Sequence, residues 1–135
     1  MGKRNTGRKL AMQALYQADI RQVDMADVTP LFLDESGYME ETKTWALELA
    51  HSAWAYRHQA DTLIQQFSIG WSLDRLNPID KAILRLAFYE MIEVKTDPRI
   101  VIDEALEIAK KYSEDDSARF INGILGQYIK DGTTA

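Results

Sequence analysis

The sequence predicts an all-α protein, a compact single-domain bundle of about six or seven helices around one apolar helix. Residues 78–94 would place apolar side chains on nearly every side of a helix, which is typical of a helix buried among others. Elsewhere apolar residues recur at helical spacing, and no stretch shows the alternation of a strand. The 135 residues, 46% hydrophobic and 27% charged, suit one soluble domain.

The central helix has a clear beginning at Asn77 and Pro78. Asparagine caps free backbone amides, and proline at the first helical position lacks only an amide that had no partner. Asp80 lies three residues past the cap, where its carboxylate could bond back to the Asn77 backbone. Its charged side chains and its length, roughly 22 Å for about 15 residues at 1.5 Å per residue, make it a poor membrane span.

Three helices are expected before it. The first covers about residues 5–21, after a basic flexible arm at residues 1–7. A short second helix is predicted to start at Thr29 and Pro30, again a cap followed by proline. A long third helix is predicted over residues 39–67, because apolar residues step by three and four along it: Leu49, Ala53, Tyr56, Ala60, Leu63 and Phe67.

Gly70 is expected to end that helix, and a single turn at residues 72–76 then leads into the central helix. Asp97 and Pro98 start the next helix, whose inner stripe is Ile102, Ala105, Ala109 and Tyr112. Residues 113–117 combine acids and hydroxyls, as is typical of the positive end of a helix.

The last helix is predicted from the spacing of Phe120, Ile121, Ile124, Leu125 and Tyr128. Two glycines inside it, Gly123 and Gly126, each cost about 1 kcal/mol relative to alanine, which indicates a packing reason for them. The tail at residues 132–135 is expected to fray.

Enzyme chemistry finds little support in the composition. The chain has no cysteine, no glycine-rich phosphate loop and no elbow-type serine, and His51 and His58 are too far apart for one metal ion. Acids at residues 114–116, or at Asp103, Glu104 and Glu107, could hold hydrated magnesium, but capping and solvation explain them better. We therefore predict no catalytic residue, metal or cofactor. The absence of a secretory or membrane-spanning segment favours the cytoplasm.

The charge is unevenly spread. The net charge is −5 overall, but it is +4 over residues 1–21 and −6 over residues 24–48. Arg8, Met12 and Tyr16 follow at intervals of four, so a guanidinium and a phenol would share one side of the first helix about 12 Å apart. Cations beside an aromatic ring are typical of single-stranded RNA binding. A solvated basic end with Tyr16 at the edge of the core explains them equally well.

Three blocks of sequence carry a resemblance. They read QALYQ at residues 13–17, WSLDRLNPIDKAILRLAFYE at 71–90, and IDEA at 102–105 leading to DSARFINGIL at 116–125. In order and spacing they closely resemble the NusB family of bacterial transcription antitermination factors. The resemblance implies a non-enzymatic all-α domain that pairs with NusE, a small-subunit ribosomal protein. The pair would bind boxA RNA in nascent ribosomal RNA transcripts and help RNA polymerase to pass terminators.

The resemblance also implies functional residues. The RNA side would comprise Lys3, Arg4, Arg8, Lys9, Tyr16, Asp116, Arg119 and Phe120, forming one strip from the front of the chain to the start of the last helix. Phe120 is equally well placed for the core, and Asp80 matches an acidic position on the surface that faces NusE. The family arm often carries a tighter run of arginines, whereas here Arg4 is followed by Asn5, Thr6 and Gly7. Fewer cations predict low RNA affinity without NusE.

Three alternatives remain open. The same domain type resembles the amino-terminal part of ribosomal RNA cytosine methyltransferases, although the chain ends before a cofactor-binding βαβ unit could begin. A homodimeric protein-interaction bundle would hide the RNA strip. A magnesium phosphohydrolase could use the acids near Asp116.

Overall fold

The computed structural model describes residues 2–33, 37–68, 70 and 72–134, with the side chains of all of these except 2, 3, 33 and 132–134. Within these ranges the chain forms helices and no strand, so the predicted all-α class is confirmed. The seven α-helices are α1 (Gly2–Arg21), α2 (Met25–Leu33), α3 (Glu40–Ala55), α4 (Arg57–Phe67), α5 (Pro78–Tyr89), α6 (Pro98–Tyr112) and α7 (Ser117–Thr134).

Helix α5 occupies the centre, as predicted. The Asn77 side chain accepts a hydrogen bond from the Ile79 amide at 2.8 Å, which caps the helix. Every residue over 82–88 is buried, and α5 contacts α1, α3, α4, α6 and α7. A π-helical turn over Glu90–Val94 continues it and ends at Lys95, whose φ is 63°. None of the helices in the described ranges has both the length and the apolar character needed to cross a bilayer.

Helical structure extends close to both chain ends. Helix α1 begins at Gly2, before the predicted start near residue 5, and α7 continues to Thr134. The flexibility of residues 1–7 and the fraying of the tail stay predictions. Helix α3 packs along α1, and a Cβ on Gly7 would overlap the ring of Trp45. Gly7 therefore permits a close helix contact that holds the amino-terminal turns in place.

Helix α2 begins four residues earlier than predicted. Its start is Met25, and Pro30 lies inside the helix rather than at its first position. Met25 and Val28 are both buried, and the Thr29 hydroxyl donates to the Met25 carbonyl at 3.0 Å. Burial of two apolar side chains therefore outweighs the backbone hydrogen bond that proline removes.

The predicted long third helix is two helices. The chain turns at Tyr56, with φ −86° and ψ −2°, between α3 and α4. The predicted inward seam is correct in both halves: Leu49, Ala53 and Ala60 are buried, and Tyr56, Leu63 and Phe67 pack against the core. The Tyr56 ring at this break meets Tyr89 of α5 edge-on at 5.8 Å, and α4 packs against α5. Hydrophobic periodicity does not record such a break.

The connection from α4 to α5 is as predicted, but the interpretation of the α7 glycines is wrong. Gly70 has a φ of 86°, which favours glycine, and a 3₁₀ turn at Leu73–Arg75 follows. At Gly123 and Gly126 an added Cβ would meet no atom within 4 Å. No close packing within the described protein requires either glycine.

Candidate nucleic-acid interface

Arg4 stacks on an aromatic ring that the sequence analysis did not identify. Its exposed guanidinium lies 4.5 Å from the centre of the Trp45 ring, within the range of a cation–π contact. Trp45 belongs to α3 and approaches α1 because Gly7 has no side chain. The pair presents a cation and a large ring side by side at the amino-terminal end of the molecule. The side chain of Lys3, the other predicted cation here, lies outside the described part.

Arg8 does not have its predicted place on the surface. Its side chain is 6% exposed, and its Nε and Nη2 donate to Glu90 Oε2 and Oε1 at 2.7 and 2.9 Å. Burial would lower the pKa of Arg8, but the hydrogen bonds and charge of Glu90 outweigh it, so the pKa is raised. Because both donors face a buried carboxylate, the predicted phosphate contact does not fit. The spacing from Arg8 to Tyr16 follows one face of α1, and this face is buried at Arg8 and Met12.

Glu104 on α6 lies close to this ion pair. Arg8, Glu90 and Glu104 line one small cavity of about 10 Å³, and the buried Oε2 atom of Glu104 has no hydrogen-bond partner among the described residues. Burial raises the pKa of Glu104, Arg8 opposes this rise, and Glu107 and Glu90 add to it. The single guanidinium of Arg8 therefore balances two nearby carboxylates.

Lys9 and Tyr16 line two neighbouring depressions between α1 and α6. We call the first, of about 170 Å³, the α1–α6 cleft; it is lined by Asn5, Thr6, Lys9, Glu107, Ile108, Lys111 and Tyr112. The second, of about 310 Å³, contains Tyr16 together with Ile79 and Phe32. Tyr112 contributes to both, so it joins them into one surface. Helical spacing predicted Tyr112 on the inner stripe of its helix, and nothing in the sequence indicated this second role.

The predicted residues of α7 form a separate group. Asp116 and Arg119 are exposed, whereas Phe120 is partly buried and packs against the core. All three line a broad depression of about 790 Å³ between α7 and the end of α4. The predicted strip is thus built in two parts, joined by the loop at residues 113–116 that follows Tyr112 directly. Whether RNA follows both parts as one track stays a prediction.

Asp80, predicted to face NusE, is instead an internal link. It is 5% exposed, and its two carboxylate oxygens accept hydrogen bonds from Ser113 at 2.5 Å and Ser117 at 2.9 Å. The predicted bond back to the Asn77 backbone is replaced by these two, which join the start of α5 to the α6–α7 loop. Asn77 adds a bond from its Nδ2 to Glu114 at 3.2 Å. A buried carboxylate whose oxygens accept hydrogen bonds from two hydroxyls is not placed to contact a partner protein directly.

We expect the Asp80 link to hold the α6–α7 loop. Asp80→Ala should raise amide hydrogen exchange over residues 113–117 roughly 5- to 150-fold, since losing a buried acceptor costs about 1–3 kcal/mol. Burial raises the pKa of Asp80, and the two serines offset only part of that. A carboxyl pKa above its unfolded value means that the ionised form costs stability at neutral pH, so Asp80→Asn should preserve the fold.

Asp74→Ala is the matched control, because Asp74 is exposed in the 3₁₀ turn and carries the same charge. Equal exchange in Asp80→Ala and Asp80→Asn would show that the side-chain polar group does not hold the loop.

The described residues offer little for metal chemistry. No group of three or more His, Asp or Glu side chains among them is arranged to hold an ion. What the fold and surface define is a class: small all-α proteins with exposed cations beside aromatic rings around α1, α6 and α7.

Comparison with known proteins identifies the family. The model of the NusB family matches residues 5–130. A transcription antitermination protein NusB from Symbiobacterium thermophilum is 38% identical over 94% of this chain and 89% of its own length. NusB from T. maritima superposes with a TM-score of 0.84 at 35% identity, covering 94% of this chain and 90% of that one. The chain therefore belongs to the NusB family.

One solved structure contains a partner and RNA. It holds antitermination factors NusB and NusE in complex with double-stranded RNA, and it matches with a TM-score of 0.86 at 25% identity. The alignment covers 97% of this chain and 98% of that one, so the whole helical body is shared.

Proposed function

We propose that this protein is a transcription antitermination factor that binds single-stranded boxA RNA of nascent transcripts together with NusE. It acts in the cytoplasm by binding rather than by catalysis, and it reaches the elongating polymerase through the RNA and its partner. Membership of the NusB family supports this proposal, as does the relative solved with NusE and RNA.

The observation that carries the proposal is the surface shared by α1 and α6. Lys9 and Tyr16 line adjoining depressions that meet at Tyr112, so cations and two phenol rings lie together. Cations neutralise phosphates without regard to sequence, and aromatic rings stack on unpaired bases. A single-stranded RNA is the ligand that uses both.

The α7 group adds a contact of a different kind. Arg119 is exposed and can meet a phosphate, whereas the Asp116 carboxylate repels phosphate and can accept from the amino group of a base. Asp116 would therefore contribute selectivity more than affinity. The Asp80 link to Ser113 and Ser117 would hold this loop ready for binding.

Substitution of Tyr16 tests the proposal. Tyr16→Ala should weaken boxA RNA binding by about 1–3 kcal/mol, roughly 5- to 150-fold, because a base loses its stacking ring. Tyr16→Phe should retain most of the affinity. Fluorescence anisotropy with labelled boxA RNA, with and without NusE, measures the change, and circular dichroism checks the fold.

Arg119→Ala should lower the salt dependence by about 0.7 in slope, as expected for one lost phosphate contact. Arg21→Ala is the control for Arg119→Ala, since Arg21 is an exposed arginine in the last turn of α1. If Arg21→Ala weakens binding as much as Arg119→Ala does, and Tyr16→Ala leaves the affinity unchanged, the RNA lies elsewhere.

A further inference from the structure

The α1–α6 cleft contains two charged residues of α6, Glu107 and Lys111, that the family resemblance did not indicate. Its walls come from the first turns of α1, with Asn5, Thr6 and Lys9, and from the last turns of α6, with Glu107 and Lys111. We propose that this cleft is a ribose–phosphate subsite, in which Lys9 and Lys111 bind one phosphate of single-stranded RNA and Glu107 accepts the adjoining 2′-hydroxyl. The inference rests on the proposed RNA-binding function and adds Lys111 and Glu107 to the residues that the resemblance implies.

The two lysines can meet one anion from opposite walls. Among the described residues neither forms an ion pair; Lys9 lies 5.9 Å from the centre of the Tyr38 ring, and Lys111 lies 5.7 Å from that of Tyr112. Both ammonium groups therefore keep donors available. A lysine ammonium is a compact charge with three donors on a flexible stem, which suits a phosphate that must be reached from two sides. The volume of about 170 Å³ leaves room for a group of that size.

Glu107 determines which part of a nucleotide fits. Its exposed carboxylate accepts hydrogen bonds and donates none, and it repels a phosphate placed beside it. The ribose 2′-hydroxyl is a donor that DNA lacks. A phosphate held between the lysines is paired with their positive charges, and its ribose, turned towards Glu107, gives that carboxylate a hydrogen-bond donor. This arrangement favours RNA over DNA.

The neighbouring rings complete the arrangement. Tyr112 lines the cleft and also the depression that contains Tyr16. A nucleotide whose backbone occupies the cleft would have its base beside these rings. The cleft thus supplies backbone contacts next to the surface proposed for stacking.

The test uses two labelled probes of identical base sequence, a boxA oligoribonucleotide and its deoxyuridine-containing DNA counterpart, titrated with and without NusE over a range of salt. Lys111→Ala should weaken both probes and lower the salt slope by about 0.7. Lys110→Ala is the matched control, because Lys110 is an exposed neighbour on α6 that does not line the cleft. Glu107→Ala, which removes the acceptor, should reduce the preference for RNA over DNA by about tenfold, the loss expected for one hydrogen bond to a charged group.

Several outcomes would overturn the assignment. Equal effects of Lys111→Ala and Lys110→Ala would show that the cleft holds no phosphate, and an unchanged RNA preference in Glu107→Ala would rule out the ribose contact. If Tyr16 and Arg119 variants weaken RNA binding while the cleft variants do not, the subsite is wrong and the proposed function stands. Absence of RNA binding by the wild-type protein would overturn both.

Discussion

Arg8→Ala is expected to destabilise the fold by about 3–5 kcal/mol, the cost of leaving a buried carboxylate without its partner. Arg8 and Glu90 are 6% and 2% exposed and share two hydrogen bonds, so the Glu90 carboxylate would stay buried without the charge that balances it. Glu104, whose pKa is already raised mainly by burial, would lose the charge of Arg8, which opposes the rise. The free energy of unfolding in urea, measured with circular dichroism, gives the size of the effect.

Two further variants separate the ion pair from a surface role. Arg4→Ala should change stability little, since Arg4 is exposed and its contact is with the Trp45 ring. Adding Glu90→Gln to Arg8→Ala should recover part of the loss, because the unpaired charge is then gone. An Arg8→Ala protein of wild-type stability, with a reduced salt dependence of RNA binding, would instead establish Arg8 as a phosphate contact.

Phe88→Ala is the second large effect, at about 3–5 kcal/mol for the loss of a buried aromatic ring. Phe88 is fully buried on α5, and its ring lies edge-on to Tyr128 at 5.2 Å. Tyr128 in turn meets Phe67 at 5.9 Å, so the three rings join α5, α7 and α4. The cavity would loosen the two helices that line the depression beside Arg119, and thermal unfolding should show a strongly lowered midpoint.

Ile100→Ala is a suitable control for this variant. Ile100 is 48% exposed near the start of α6, so its truncation should cost well under 1 kcal/mol. A Phe88→Ala protein no less stable than the Ile100→Ala protein would contradict the central position assigned to α5.

The sequence was sufficient to predict the central helix. Asn77 and Pro78 fix its start through local hydrogen bonding, and an apolar surface on every side has few solutions other than burial. Signals of this kind depend on residues only a few positions apart, and the structure has the predicted helix start. The start of α6 at Asp97 and Pro98 follows the same logic, since Asp97 accepts from the Arg99 amide.

The helix boundaries that failed depended on distant contacts. Nothing near Pro30 indicates that Met25 and Val28 will be buried, and nothing near Tyr56 indicates that its ring will meet Tyr89. Tertiary packing decided both positions. A pattern of three- and four-residue steps continues unchanged across a bend, so the division between α3 and α4 has no periodic signal.

The site was predictable only in part for the same reason. Helical spacing showed that Arg8 and Tyr16 share a side of α1, but it could not show that Glu90, 82 residues away, draws Arg8 inward. Trp45 is far from Arg4 in sequence and close to it in space. The Asp80 bonds to Ser113 and Ser117 likewise join positions that no local motif connects.

We propose that single-stranded RNA runs over the α1–α6 surface and continues to the start of α7. Photo-cross-linking of boxA RNA containing 4-thiouridine, followed by mass spectrometry of the protein–NusE complex, tests this path directly. We expect cross-links at Tyr16 and Tyr112, with a second group at Phe120. Cross-links confined to α2 and the carboxy-terminal half of α3, with none at these three rings, would contradict it.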